Sequence, residues 1–220
     1  MRAILHHPDC EDWASFASSW EDLGVDLYMA DGGRYRRRRF AAFSANKAVF
    51  TRKPHQPHYQ SRDYNPLNGG LQRWFEPIVD AVATHVVTQR ILCVCATIFT
   101  AIASDSDQLA SWHVEMHQFR IEAVAGKAGL PTPEGVHRDG VDWVCVMLVN
   151  RYNVASGITD IYDSKGGSLR RFTLSAPLDT VFVDDTRVRH GVTPITALDP
   201  ELRAFRDVLI LTFRRQSLVS

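Results

Sequence analysis

From Gly135 to Gly140 the chain reads GVHRDG: a histidine and an aspartate two residues apart, with a glycine behind them. On an extended strand, residues i and i+2 project to one face. His137 and Asp139 therefore converge, and Gly140 leaves space for a ligand or a neighbouring backbone. The plain alternative is a turn aspartate beside an exposed loop histidine. An imidazole and a carboxylate on one face are metal-binding types, but two ligands hold iron or zinc poorly. A third is required, from a distant strand. His190, in DDTRVRHGVTPI at the start of a late strand, is the strongest candidate. Two histidines and one carboxylate occupy one face of a metal and leave the other open, the arrangement of non-haem Fe(II) oxygenases.

The following strand, RDVLILTF, begins with Arg206. An inward guanidinium at the head of an apolar strand needs a ligand to satisfy it, and its fork pairs two-pronged with a carboxylate. A 2-oxoglutarate that chelates iron through its keto-acid end would present its far carboxylate to such a residue. Arg203 and Arg214 are rivals, and surface pairing of Arg206 with Asp207 or Asp199 is the plainer reading.

The elements that must position these groups follow from periodicity. Asp9 to Leu23 has Trp13, Phe16 and Trp20 at helical spacing, Asp9 or Asp12 as cap, and Gly24 behind it. GVDLYMADGGRYRRRRFAAF predicts strand, turn and strand about Asp31-Gly32-Gly33. In the arginine run Arg34 to Arg39, alternate side chains are expected to face water and acidic neighbours while one or two reach inward. Thr51 to Asn68 predicts a long ordered loop with aromatic anchors. A helix is expected from Leu71 to about Thr88, with Trp74, Ile78 and Val82 on one face, and another from Ile91 to Ala103. From Trp112 onward, short β-branched and apolar runs alternate with Gly, Pro, Asn and Asp, the pattern of a sandwich or barrel. The expectation is one α+β domain over 1–220, helix-rich over 1–110 with a β-core over 111–220. Its core is a double-stranded β-helix of the jelly-roll or cupin-like type, with N-terminal helices packed on one sheet.

Composition narrows the partners. In 220 residues, Lys+Arg and Asp+Glu both total 25, so net charge gives no reason to expect nucleic acid or an anionic membrane. No stretch approaches the roughly 18 apolar residues of a membrane span, and the start lacks a secretory apolar region. A cytoplasmic protein is expected, with its four cysteines as buried free thiols. His113 and His117 share a strand face with Glu115, while Gln118 and Arg120 share the other. Without HExxH the pair predicts no second metal site. HQPHYQ, with His55 and His58, is expected to pack as a loop or to act as a lid.

WHVEMHQFRIEA, PTPEGVHRDGVDWV, IYDSKGG, DDTRVRHGVTPI and FRDVLILTF, with HYQSRDYNPLNGGLQRWFEPI in the middle of the chain, together resemble the Fe(II)/2-oxoglutarate-dependent dioxygenases of the bacterial isoleucine-dioxygenase family. The resemblance runs from about Asp26 onward. It implies a distorted jelly roll, iron held by His137, Asp139 and His190, 2-oxoglutarate anchored by Arg206, and O2 as oxidant. It also implies hydroxylation of a free aliphatic L-amino acid, with succinate and CO2 as co-products. Such a substrate needs partners for its carboxylate and its ammonium. Glu134, Arg138, Asp142, Trp143 and Arg120 are the expected contacts, each with an ordinary reading as a cross-strand pair or a support for a metal ligand. One departure is Ala155-Ser156-Gly157, where the family pattern has two glycines after RYNV. Two other functions compete: an oxygenase acting on protein or nucleic acid through the arginine run, and a non-catalytic binding module.

Overall fold

Two long strands, β5 (Ser111–Ala123) and β13 (Ala204–Gln216), pair antiparallel over their whole length, from Ala204 opposite Ala123 to Gln216 opposite Ser111. The computed structural model that contains them describes residues 1, 11–46, 49–103 and 111–216. Around this pair lie β1 (Arg36–Asn46), β2 (Val49–Arg52), β6 (Trp143–Tyr152) and β10 (Thr180–Asp184). They form a six-stranded sheet of order β10-β6-β13-β5-β1-β2. Smaller antiparallel sheets join β11 (Val188–Val192), β8 (Thr159–Asp163) and β9 (Ser168–Phe172), and pair β12 (Ile195–Ala197) with β7 (Val154–Ser156). Val144 of β6, Ile161 of β8 and Val183 of β10 share one apolar cluster with Phe172 and Val188, so the large and small sheets face each other as in a jelly roll.

The other face of the large sheet meets helices. α1 (Glu11–Ser18) continues as a tight 3-10 turn through Asp22, α2 (Asp80–Ala83) is a single turn, and α3 spans Val86–Ile102. Phe16, Trp20, Val82, Ile91, Leu92, Cys95 and Phe99 form one buried cluster with Phe43, Val114, Met116, Met147, Leu209, Leu211 and Phe213. α3 is rich in β-branched residues. Its buried positions 87, 88, 91, 92, 95, 96 and 99 nonetheless form a stripe of helical period, so packing outweighs the weak local propensity. His85 caps it by accepting from Val87 N–H at 3.2 Å.

This double burial explains an unusual alternation. On β5 the apolar residues Trp112, Val114 and Met116 face the helices, whereas polar His113, Glu115 and His117 face the space between the sheets. β1 repeats the pattern. Arg36 and Arg38 are buried on the inner face, while Arg37 pairs with Glu122 and Arg39 with Asp22 and Glu76. The arginine run is thus two inward cations, two paired outward ones and the exposed Arg34.

Several expectations are corrected. The helix from Leu71 to Thr88 does not form, so the first half of the chain is less helical than expected. That segment holds β4 (Gln72–Arg73), which pairs with β3 (His58–Tyr59), then an extended run to α2. Pro77 lacks an N–H and disfavours helix before it, and the run instead pairs with β1 through Phe40 N–H to Glu76 O at 2.9 Å. Before the Asp31 turn there is a single bridge, Val25 to Arg37, in place of a strand. There Asp26 turns inward to pair with Arg36 at 2.7 Å. Asp9 and Cys10 lie outside the described residues; Asp12 is inside α1, and Cys93 is exposed whereas Cys95 and Cys145 are buried. Among the described residues no helix is long and apolar enough to cross a membrane.

Candidate active site

A cavity of about 250 Å³ lies between the sheets. That is below the roughly 300–1,000 Å³ of sites for drug-sized ligands, so it suits small metabolites. His137 and His190 reach it by exchanging backbone hydrogen bonds, each N–H to the other's carbonyl at 2.9 Å. This narrow bridge brings residues far apart in sequence into one place. The turn after His137 is clamped by Asp185, which is fully buried. Its carboxylate accepts the backbone N–H groups of Asp139, Gly140 and Val141 at 2.9, 2.8 and 3.2 Å. Gly140 has φ +79°, and a Cβ there would lie 2.5 Å from the Tyr64 ring. The close approach that the glycine permits is therefore that of an aromatic ring.

His137, Asp139 and His190 each present a ligand atom, all within 4.8 Å of one another. His137 Nε2 is 3.7 Å from Asp139 Oδ1, and His190 Nε2 is 3.5 Å from Oδ2. Ligand atoms about 2.1 Å from one ion stand roughly 3–3.5 Å apart, so only a small closure would enclose a metal. His137 Nδ1 donates to Gly135 O at 3.0 Å, which leaves Nε2 as the lone-pair nitrogen facing Asp139. Burial alone would lower His137, but the hydrogen bond and charge of Asp139 hold it up at about 9. Burial would raise Asp139. The His137 hydrogen bond and the charges of His190 and His137 instead carry it well below the usual carboxylate range. A proton thus occupies the place a dication would take, and the donor set fits Fe(II).

Arg206 lines the same cavity, is 2% exposed, and its Nε and Nη2 have no partner. Asp207 is on the opposite face, held by Arg120 at 2.7 Å, so the plain surface pairing is not made. Burial, then the Arg151 charge, pushes Arg206 down to about 10, still cationic at neutral pH. A Cβ on Gly157 would lie 3.6 Å from Arg206 Cδ and 2.9 Å from Ile195 Cγ2. At the family departure, Ser156 and Gly157 both have positive φ, 61° and 69°. The serine adopts a glycine-type backbone, and the loop still rests against Arg206.

A second polar cluster surrounds Glu115. His58 Nδ1 donates to it at 2.9 Å and His113 Nε2 at 3.4 Å, and His117 Nε2 lies 3.8 Å away. His58, Glu115 and His117 also bring ligand atoms within 4.8 Å. Here hydrogen bonding argues against a metal. Arg38 donates to His117 Nδ1 at 2.6 Å and Lys53 to His113 Nδ1 at 2.8 Å. Neither cation can accept, so each Nε2 carries the proton and points it at Glu115. Coordination through His117 Nε2 would demand an imidazolate.

This cluster predicts acid lability. Burial lowers His117 from 6.5 to about 3. The unfolded chain therefore binds more protons between these values, and stability falls as pH drops from 6.5 toward 3. Glu115 is also depressed, against the desolvation of burial, by its histidine partners, and adds loss in the same direction below the ordinary carboxylate range. The expected outcome is a loss of about 4 kcal/mol from His117 alone by pH 3.5. Urea titrations at pH 7 and at successively lower pH check it; a flat profile would contradict the assigned proton positions.

The remaining expected contacts separate cleanly. Glu134 lines the cavity, its Oε1 3.4 Å from His137 Nε2 and its Oε2 unpartnered. Arg138 turns away, donating to Asp185 O at 2.6 Å beside the Tyr64 ring. Asp142 pairs with Arg215 at 2.6 Å, and Trp143 stacks on Phe99 in the helix-facing core, ring centroids 5.3 Å apart. Arg120 is on the helix-facing side of β5, bound by Asp207 and by Glu21 at 2.7 Å. Strand parity excludes Trp143 and Arg120, since the inward neighbours are Val144 and Phe119. Arg38, Arg73, Glu115 and Asp185 were not anticipated as cavity or supporting residues. Inward alternation on β1 and β5 was the available signal for Arg38 and Glu115.

The 2OG-Fe dioxygenase family profile matches residues 17–212. L-isoleucine-4-hydroxylase of Bacillus thuringiensis is 29% identical over 157 residues, 71% of this chain and 64% of that enzyme's length. A crystal structure of a bsmA homolog from Methylobium petroleophilum superposes with a TM-score of 0.88 at 35% identity, covering 100% of this chain and 86% of that one. The structure of the Bacillus thuringiensis protein IDO agrees in fold, with a TM-score of 0.81 at 20% identity over 98% of this chain and 92% of the other. With nearly the whole described chain inside the profile, this protein belongs to the 2OG-Fe dioxygenase family.

Proposed function

We propose that this chain hydroxylates an unactivated C–H bond of a free aliphatic L-amino acid, consuming 2-oxoglutarate and O2 at Fe(II) and releasing succinate and CO2. The observation that carries the reading is the pairing, in one cavity, of the His137, Asp139 and His190 ligand set with the unpartnered cation Arg206. Bound iron and 2-oxoglutarate supply the oxidising power. His137, oriented by Gly135 O, Asp139, its backbone fixed by Asp185, and His190 would hold the metal. Arg206 receives the far carboxylate of 2-oxoglutarate, so the co-substrate has one orientation. Val144, Val146, Val192, Val208 and Ile210 give the cavity an aliphatic wall, which suits an apolar side chain and keeps water from the reacting carbon.

A macromolecular substrate is favoured by nothing comparable. Of the five arginines in the run, two turn inward, two are paired with Glu122 and with Asp22 and Glu76, and Arg34 alone is exposed, so the run does not form an exposed cationic stripe. The test is incubation with iron, ascorbate, 2-oxoglutarate and each of the twenty amino acids. Succinate is expected to form in step with a mass gain of one oxygen for one or a few aliphatic members. Succinate without any oxidised amino acid would exclude the substrate class, and no succinate at all would exclude the activity.

A further inference from the structure

Charges that face the cavity can be paired off one by one. Arg36 is ion-paired with Asp26, its Nε donating to Oδ2 at 2.7 Å. Arg38 donates to His117 and lies between the Phe75 and Phe119 rings, 3.6 and 4.2 Å from their centroids. Glu115 is ringed by histidines, and Arg206 is committed to 2-oxoglutarate under the reading above. Two charges remain. Arg73 is 2% exposed, its Nε has no partner, its Nη2 donates to Gln60 Oε1 at a long 3.5 Å, and its guanidinium lies 5.7 Å from the Phe75 ring. Glu134 has an unpartnered Oε2, and its Oε1 faces the His137 nitrogen that a metal would take.

These two are not bonded to each other, yet they line one cavity. A buried cation short of partners destabilises the ligand-free protein, and a metal on His137 Nε2 would take from Glu134 the imidazole nitrogen it now faces. A guest that settles both must carry a carboxylate and a cationic nitrogen on one small frame. We propose that Arg73 binds the α-carboxylate of the substrate amino acid and that Glu134 binds its α-ammonium. This rests on the amino-acid reading and adds the recognition residues to it. Glu134 stands beside His137, so the ammonium end would sit near the metal ligands. The carboxylate end would sit against β4, beneath the loop that carries Gln60. The geometry also selects against amino acids already joined through either end, such as peptides.

The test uses isoleucine, isoleucinamide and N-acetylisoleucine as probes. Calorimetry is done on protein loaded with manganese(II) and saturated with 2-oxoglutarate, in wild type, Arg73→Met, Arg73→Lys and Glu134→Gln, with melting curves to confirm folding. Arg73→Met is expected to weaken isoleucine by about 30-fold or more, while isoleucinamide, already lacking the carboxylate, loses little further. Glu134→Gln is expected to behave in the same way toward isoleucine and N-acetylisoleucine. Arg73→Lys should recover part of the isoleucine affinity, and 2-oxoglutarate affinity should hold in all. Equal losses for isoleucine and its amide in Arg73→Met would mean a structural role and overturn the proposal. So would a shift in 2-oxoglutarate affinity instead. If wild type binds 2-oxoglutarate but neither isoleucine nor any of the other nineteen amino acids, the substrate reading fails and this inference with it.

Discussion

Replacing Asp139 with alanine is expected to lower 2-oxoglutarate turnover at least about 10³-fold while leaving the protein folded. The separation of effects follows from how the turn is held. Asp185 grips the backbone N–H groups of residues 139 to 141, not the Asp139 side chain, so truncation does not release the loop. What is lost is the one anionic donor between two imidazoles, and two neutral nitrogens hold Fe(II) weakly. A second readout separates this from misfolding. In metal-free wild type, His137 is held at about 9 against burial by Asp139. Without that carboxylate, the main opposition to burial is gone, so the ring is expected to titrate well below 9 in the variant. NMR titration of the ring, with iron content and succinate release, checks both halves. An Asp139→Ala protein that retains iron and normal succinate output would remove Asp139 from the site.

Much of this site was readable because it depends on strand parity, the most local rule of β structure. The step of two between His137 and Asp139, and the inward position of Arg206 on an apolar strand, need only that rule. The same rule argued against Arg120 and Trp143, which share parity with residues that face the helices. Their chemical type suits an amino-acid ligand, but their parity turns them away from it. Arg138 and Asp142 fail for another reason: their partners, Asp185 and Arg215, come from remote segments that no local pattern connects to GVHRDG. The clamp by Asp185 is likewise a long-range fact. The helix expected after Leu71 is opposed locally by Pro77, and its apolar spacing equally suits an extended run packed on β1. The polar inner faces of β1 and β5 were harder still. Amphipathic strands usually turn their polar side to water, and here that side faces a ligand cavity while the apolar side meets helices.

Arg206→Met is expected to move two measurements in opposite directions. Arg206 is fully desolvated, with two guanidinium nitrogens lacking partners, and burial has already pushed it down to about 10. The ligand-free fold therefore carries an uncompensated cation. Exchange for an apolar residue of similar length removes that penalty, and the apo-protein should gain about 1–3 kcal/mol of stability. The same exchange deletes the only group assigned to the far carboxylate of 2-oxoglutarate. Losing a buried charge-assisted pair should raise the 2-oxoglutarate Kd by about 100-fold. Urea midpoints without ligand and calorimetry with 2-oxoglutarate read the two effects separately. A residue with a structural role would lose both stability and binding, and one outside the site would lose neither. Only a cation kept at the expense of the empty fold, for a ligand that arrives later, gives a more stable protein that no longer binds its co-substrate well.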